Sequence, residues 1–235
     1  MIDTSAPGGA STGSERVRVA VWDWPVRVVH WSMALLLVAL VATGLRGGDA
    51  LEWHMRFGQV LLALVLFRIL WGFVGSRNAR FRTFVRGSRA AASYVRSRVR
   101  RAPEVHATHN PIGGWMVIAL LGALLVQAGT GLVTNDDILW DGPLVKHVAK
   151  DTSDALSSFH RRFAWVVVTL AVLHVLAVIA YLVVFRDNLA KAMVNGLKSL
   201  PADLADPSAA SASSLRAMAL LAACGVAVWF VLHRL

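Results

Sequence analysis

The sequence predicts an all-α integral membrane protein, a four-helix bundle with an additional C-terminal transmembrane helix. Three observations carry this. Hydrophobic residues fill 56% of the 235 positions and the mean hydropathy is +0.56, too oily for a soluble domain of this length. The apolar residues gather in five stretches, 28–45, 57–75, 112–133, 163–185 and 215–232, each near the ~20 residues a helix needs to cross a hydrocarbon core. Within those runs, as in "MVIALLGALLVQAGTGLV" (116–133), polar residues do not recur at the helical period that a soluble amphipathic helix shows.

Residues 1–18, rich in Gly, Ser, Thr and Ala, are expected as a disordered tail, since no apolar stretch with a small-residue cleavage site marks a signal peptide. The first four spans form one domain over 19–198. A Pro/Ala/Ser-rich stretch at 199–214 reads as a flexible linker, and 215–235 is the fifth helix. His233 and Arg234 at its outer end run against the charge rule, so an interfacial or partner-packing helix stays open as an alternative. The one cysteine, Cys224, rules out a disulfide within the chain, and no C-x-x-C-H offers covalent haem attachment.

The net charge of +10 raises nucleic acid as a partner, but the placement of the charge argues against it. Residues up to Arg27, the 76–111 loop and the 186–214 stretch hold fifteen Lys and Arg, whereas loops 46–53 and 134–159 hold three. The positive-inside rule then places the N-terminus and the long loop in the cytoplasm. Within that loop "RFRTFVRGSRAAASYVRSRVRR" (80–101) reads as a basic helix lying on anionic lipid headgroups.

A repeat lies under the spans. Span one ends "VATGL" (41–45) and span three ends "AGTGL" (128–132); span two opens "WHMRF" (53–57) and span four opens "FHRRF" (159–163). Two related hairpins are expected, each leaving through Thr-Gly-Leu and returning through His-x-Arg-Phe.

Depth sorts the eight histidines. His106, His109, His147 and His233 fall in loops or at an end and are expected to be solvated or interfacial. His30, His54, His160 and His174 sit in or at the mouths of core spans, where an ionisable group is costly and faces the bundle interior. His174 follows His160 by fourteen residues, about 21 Å along a helix and about 40° around it, so one face of span four presents imidazoles at two levels. The expected pairs are His54 with His160 near the outer surface and His30 with His174 nearer the cytoplasm. Two imidazoles from facing helices suit the two axial positions of a haem iron; a zinc or copper site would gather more ligands around one ion. Gly44, Gly58, Gly129 and Gly131 could give a macrocycle room or serve plain helix packing. Arg68, fourteen residues after His54, points into the inner level, where a haem propionate is the available anion. Arg56 and Arg162 are expected as interface anchors.

With these residues the sequence resembles the bacterial cytochrome b561 family, which groups with the b-type cytochrome subunits of membrane hydrogenases. The resemblance spans roughly 19–198. It is carried by "VWDWPVRVVHW" (21–31), "HMRFGQVLLALVLFRILWGFVG" (54–75), "RFRTFVRG" (80–87), "HNPIGGWMV" (109–117), "TGL" (130–132) and the span-four histidines with "YLVVFRDNLAKAMVNG" (181–196). It implies two non-covalent b haems held by His30, His54, His160 and His174, and electron exchange between the quinone pool and a redox partner. The fifth span is not part of the common four-helix core.

The leading expectation is therefore a relay between quinone and an outer-side partner, a periplasmic c-type cytochrome or a hydrogenase-like enzyme. The acidic outer loop (134–160) is a candidate for docking that partner or lining a quinone pocket, with Lys146 and His147 as candidate proton-handling groups. Alternatives are a superoxide-oxidising quinone reductase that needs no protein partner, the cytochrome b subunit of a hydrogenase complex, and a non-haem anchor or metal carrier. A homodimer is compatible with all of them.

Overall fold

The computed structural model of the chain describes residues 15–99 and 107–234. Residues 1–14 of the expected tail and His106 lie outside the described residues. The order is β1 (Arg16–Ala20), α1 (Trp24–Arg46), α2 (Ala50–Val74), α3 (Phe81–Phe84), α4 (Ser88–Val99), α5 (Pro111–Gly131), α6 (Lys150–Val184), α7 (Leu189–Asn195), β2 (Leu197–Pro201) and α8 (Ser214–Arg234). Helices α1, α2, α5, α6 and α8 are each long and apolar enough to cross a membrane. Their outward faces are apolar too: Leu35 and Val38 on α1 and Val183 on α6 are each about 70% exposed. Such a surface is favourable only in lipid, and the chain is a multi-pass membrane protein.

The two hairpins start alike. Asp23 accepts a hydrogen bond from Val26 N at 2.9 Å ahead of α1, and Asn110 accepts one from Gly113 N at 2.8 Å ahead of α5, each beside a proline in the first turn. These side chains satisfy amide donors that a helix start leaves unpaired. Their returns differ. The α1–α2 turn passes through Gly47 and Gly48, both at positive φ, where a side chain would be strained. The α5–α6 connection is a long loop over 132–149. The face bearing these connections is called outer below, following the charge-based orientation.

Helix α1 packs on α2, α5 on α6, and α2 on both α5 and α8. Leu40, Leu61, Val65, Leu124 and Val167 form the centre of the four-helix core. Ala217 and Cys224 of α8 join Phe67 and Trp71 of α2 in a neighbouring cluster, so α8 flanks the four-helix core along α2. Helix α6 has 35 residues, about 52 Å, longer than a ~30 Å hydrocarbon core. On its polar first turns Ser153 and Ser157 are buried against the outer loop: Ser153 Oγ donates to Val133 O at 2.7 Å, and Asn135 N donates to Ser157 Oγ at 3.0 Å.

Two boundaries differ from the sequence expectation. Residues 16–18, expected in the tail, and 199–201, expected in the linker, form an antiparallel two-stranded sheet, with Arg16 opposite Pro201 and Ala20 opposite Leu197. The rest of the expected linker is also tied down, by Asn78 N donating to Ala209 O at 3.0 Å and by an Arg77–Asp206 ion pair at 2.6 Å. Each strand supplies hydrogen bonds that the other lacks alone, a pairing across nearly the whole chain that composition does not reveal.

Candidate functional site

The four selected histidines meet in two pairs. His30 on α1 faces His174 on α6 with ring centroids 6.2 Å apart, and His54 on α2 faces His160 on α6 at the same 6.2 Å. All four are half-buried. Neither α1 nor α2 packs closely on α6 along the backbone, so the imidazoles meet across a gap. Two metal–imidazole bonds of ~2.0–2.1 Å, with ~1.1 Å from each nitrogen to its ring centre, separate two centroids by ~6.3 Å. Both pairs therefore have the spacing of imidazoles that share one metal ion. Among the described residues no three His, Cys, Asp or Glu side chains converge; two protein ligands per centre suit a macrocycle that supplies the other four.

The outer pair is held from behind. His54 Nδ1 lies 3.0 Å from Leu40 O and 3.3 Å from Thr43 Oγ1; His160 Nδ1 lies 3.0 Å from Gln127 O and 3.2 Å from Thr130 Oγ1. Each Nδ1–H has a carbonyl to donate to, which leaves Nε2 as the nitrogen with a lone pair to offer a metal. The threonine hydroxyls donate to Ala39 O and Val126 O, so their lone pairs remain for the imidazoles. A Cβ on Gly44 would stand 3.1 Å from His54 Cε1, and one on Gly131 would stand 3.0 Å from His160 Cε1. The Thr-Gly-Leu repeat thus gives each ring a hydroxyl partner and the space to use it. The Gln127 amide stands 3.1 Å from His160 Nε2.

The inner pair has a different surround. His30 Nδ1 is buried without a partner. Arg68 is buried on α2, its guanidinium over the Phe81 ring, with Nη2 donating to Ala79 O at 3.4 Å and Nη1 unpartnered. Asp23 acts on its charge, but that carboxylate already binds Val26 N and Trp71 Nε1. An unsatisfied buried guanidinium N–H is costly, and an anion at the inner level would relieve it.

His109 departs from the expectation of a solvated loop residue. Its ring packs between Trp22 and Phe84, and its Nδ1 is closed off without a partner. Burial pushes its pKa down to about 3, with the nearby Arg68, His174 and His30 adding to the shift. The signal was its place just before the Asn110 cap, which turns the chain back into the bundle.

A cavity of about 510 Å³ surrounds His54 and His160, within the ~300–1,000 Å³ usual for cofactor pockets. Gly44, Gly58 and Gly131 line it, but Gly129 does not: it is exposed and a Cβ there would touch nothing. On a helix, two residues place Gly129 about 200° from Gly131. Arg56 pairs with Glu52 and lies over Trp53, and Arg162 donates to Ser158 O, contacts within their own helices. Lys146 and His147 are exposed on the outer loop and do not line this cavity. Sequence reasoning missed Thr43 and Thr130, which sat inside the repeat, and Gln127, which immediately precedes its second copy, and also Arg161 and Trp140, which line the cavity.

Fold and site together define a polytopic helical membrane protein with two stacked imidazole pairs in its core. The family model described as prokaryotic cytochrome b561 matches residues 21–196, and the chain belongs to that family of membrane electron-transfer cytochromes. It is similar to the probable Ni/Fe-hydrogenase B-type cytochrome subunits of Bradyrhizobium diazoefficiens (25% identical, covering 83% of this chain and 91% of that one) and Rhodobacter capsulatus (25%, covering 80% and 84%). The corresponding subunit of Azotobacter vinelandii is 27% identical, with 83% and 95% covered. No solved structure matches the chain significantly.

Proposed function

We propose that the protein is a di-haem b-type cytochrome of the bacterial inner membrane that carries electrons between the quinone pool and a redox partner on the outer side. The observation that supports this best is the pair of facing imidazoles repeated at one spacing, 6.2 Å, at two levels of one helix. When bound, each haem supplies one-electron iron chemistry. His54 and His160 hold the outer group, and His30 and His174 the inner one. With two imidazoles on each iron, neither pair would leave the metal a free position for substrate, which favours outer-sphere electron transfer. The Nδ1 contacts keep Nε2 of the outer pair deprotonated and aimed inward. Apolar side chains such as Leu40, Leu61 and Val167 exclude water between the levels. Arg68 offers an unpaired guanidinium N–H to an inner propionate.

The partner is a redox protein that docks at the outer face, where Asp136, Asp137, Asp141, Asp151 and Asp154 gather. The names of the similar proteins favour a hydrogenase-like enzyme, and the acidic surface suits a basic c-type cytochrome. The pairing is tested with His174→Ala. Absorbance of the purified variant should show loss of the inner haem with the outer one partly retained; loss of neither overturns the assignment.

A further inference from the structure

We propose that Trp140 and Arg161 close the outer end of the cavity as a donor pair for a propionate carboxylate of the outer haem, an inference that rests on the haem reading above. Trp140 is placed by a built loop. Asp136 Oδ1 accepts from the amides of Ile138, Leu139 and Trp140 at 2.8–3.0 Å, and Asp136 N donates back to Trp140 O at 3.2 Å. Gly142 N donates to Thr134 O at 2.7 Å, and a Cβ on Gly142 would lie 2.6 Å from Leu132 O. The loop is thereby folded tightly over the end of α5.

Its indole Nε1–H is shut off from solvent without an acceptor, although the ring lines the cavity that holds His54 and His160. A buried donor left without an acceptor is costly. Arg161 lines the same cavity and, among the described residues, makes no ion pair. Indole and guanidinium are donors only, so an exposed cation that lines the same cavity as an unmatched N–H calls for an anionic acceptor. Asp136 also borders the cavity, with its Oδ1 committed to three amides, and among the described residues neither donor bonds to its carboxylate. The first hairpin offers no equivalent: Met55 stands where the second has Arg161, and a short glycine turn replaces the loop. The carboxylate of the outer group is thus directed toward the α5–α6 side.

The test uses the full-length purified protein and the variants Trp140→Phe, Arg161→Gln and Arg161→Lys. Redox titration followed by absorbance, with resonance Raman of the propionate bending bands, reads the outer haem separately from the inner one. Removing a donor leaves more negative charge beside the iron and favours its oxidised form. Trp140→Phe and Arg161→Gln should each shift the outer redox equilibrium about threefold to tenfold toward oxidation, ~30–60 mV for one electron. Both should also alter its propionate bands, Arg161→Lys should largely restore them, and the inner haem should not move. An unchanged outer potential and unchanged bands in both Trp140→Phe and Arg161→Gln overturn the proposal while the haem reading stands. Loss of the outer haem in Arg161→Gln that Arg161→Lys reverses supports it, and loss in both counts against it. A wild-type chain that binds no haem overturns the reading beneath it instead.

Discussion

Gly129 and Gly131 stand two residues apart in one Gly-Thr-Gly run and have opposite surroundings. A methyl group on Gly131 would lie 3.0 Å from His160 Cε1, whereas one on Gly129 would meet nothing within 4 Å. Gly131→Ala should push the ring off its Thr130 and Gln127 contacts and weaken outer haem binding ~10–100-fold, the usual effect of losing a partner behind a metal ligand. Gly129→Ala should leave haem retention unchanged; haem titration into the apoprotein compares the two, and equal retention would contradict the account. His109 supplies a pH dependence. Its pKa is lowered from 6.5 to about 3 on folding, so between those values the unfolded chain binds the extra proton. Stability is therefore lost as pH falls through that window. His109→Phe should flatten this acid limb in thermal unfolding followed in detergent, and an unchanged limb would contradict the burial argument. The paired depths of His30, His54, His160 and His174 were legible in the sequence, because helical rise and angle follow from spacing alone. The Nδ1 partners were not, since Leu40 O and Gln127 O are backbone groups without a sequence signature.

At the scale of elements, the five apolar stretches announced the five long helices because hydrocarbon thickness sets a length that composition reveals. The boundaries moved where a capped start or a polar stretch carries a helix beyond its apolar run. Helix α6 begins at Lys150 and α1 at Trp24, earlier than apolar runs starting at 163 and 28. What escaped the sequence depends on contacts far apart along the chain, such as the β1–β2 sheet and the outer loop held by Ser153 and Ser157. Packing of α3 on α2 depends on one small residue: a Cβ on Gly72 would lie 2.2 Å from Phe81 Cε2, and Phe81 in turn lies beneath the Arg68 guanidinium. Gly72→Ala should destabilise the protein by about 1–3 kcal/mol, the cost of overpacking. A lower unfolding temperature with outer-haem absorbance intact would show it; unchanged stability would mean that α3 does not pack as described.

For the whole molecule, the two hairpins share their starts at Asp23 and Asn110 and the Thr-Gly cradles of their outer histidines, and differ in the connections that follow. The shared parts position imidazoles at matching depth, and the long connection supplies the acidic outer face that the short one lacks. Helix α8 flanks α2 and leaves the gap before α6 open. The central claim is that this gap holds two irons per chain, each between two imidazoles. Quantitative haem analysis of the purified protein, joined with electron paramagnetic resonance of its oxidised form, tests it most directly. Two b haems per chain, both low-spin and bis-imidazole, are expected. One haem per chain, none, or a high-spin centre with an open axial position would contradict it.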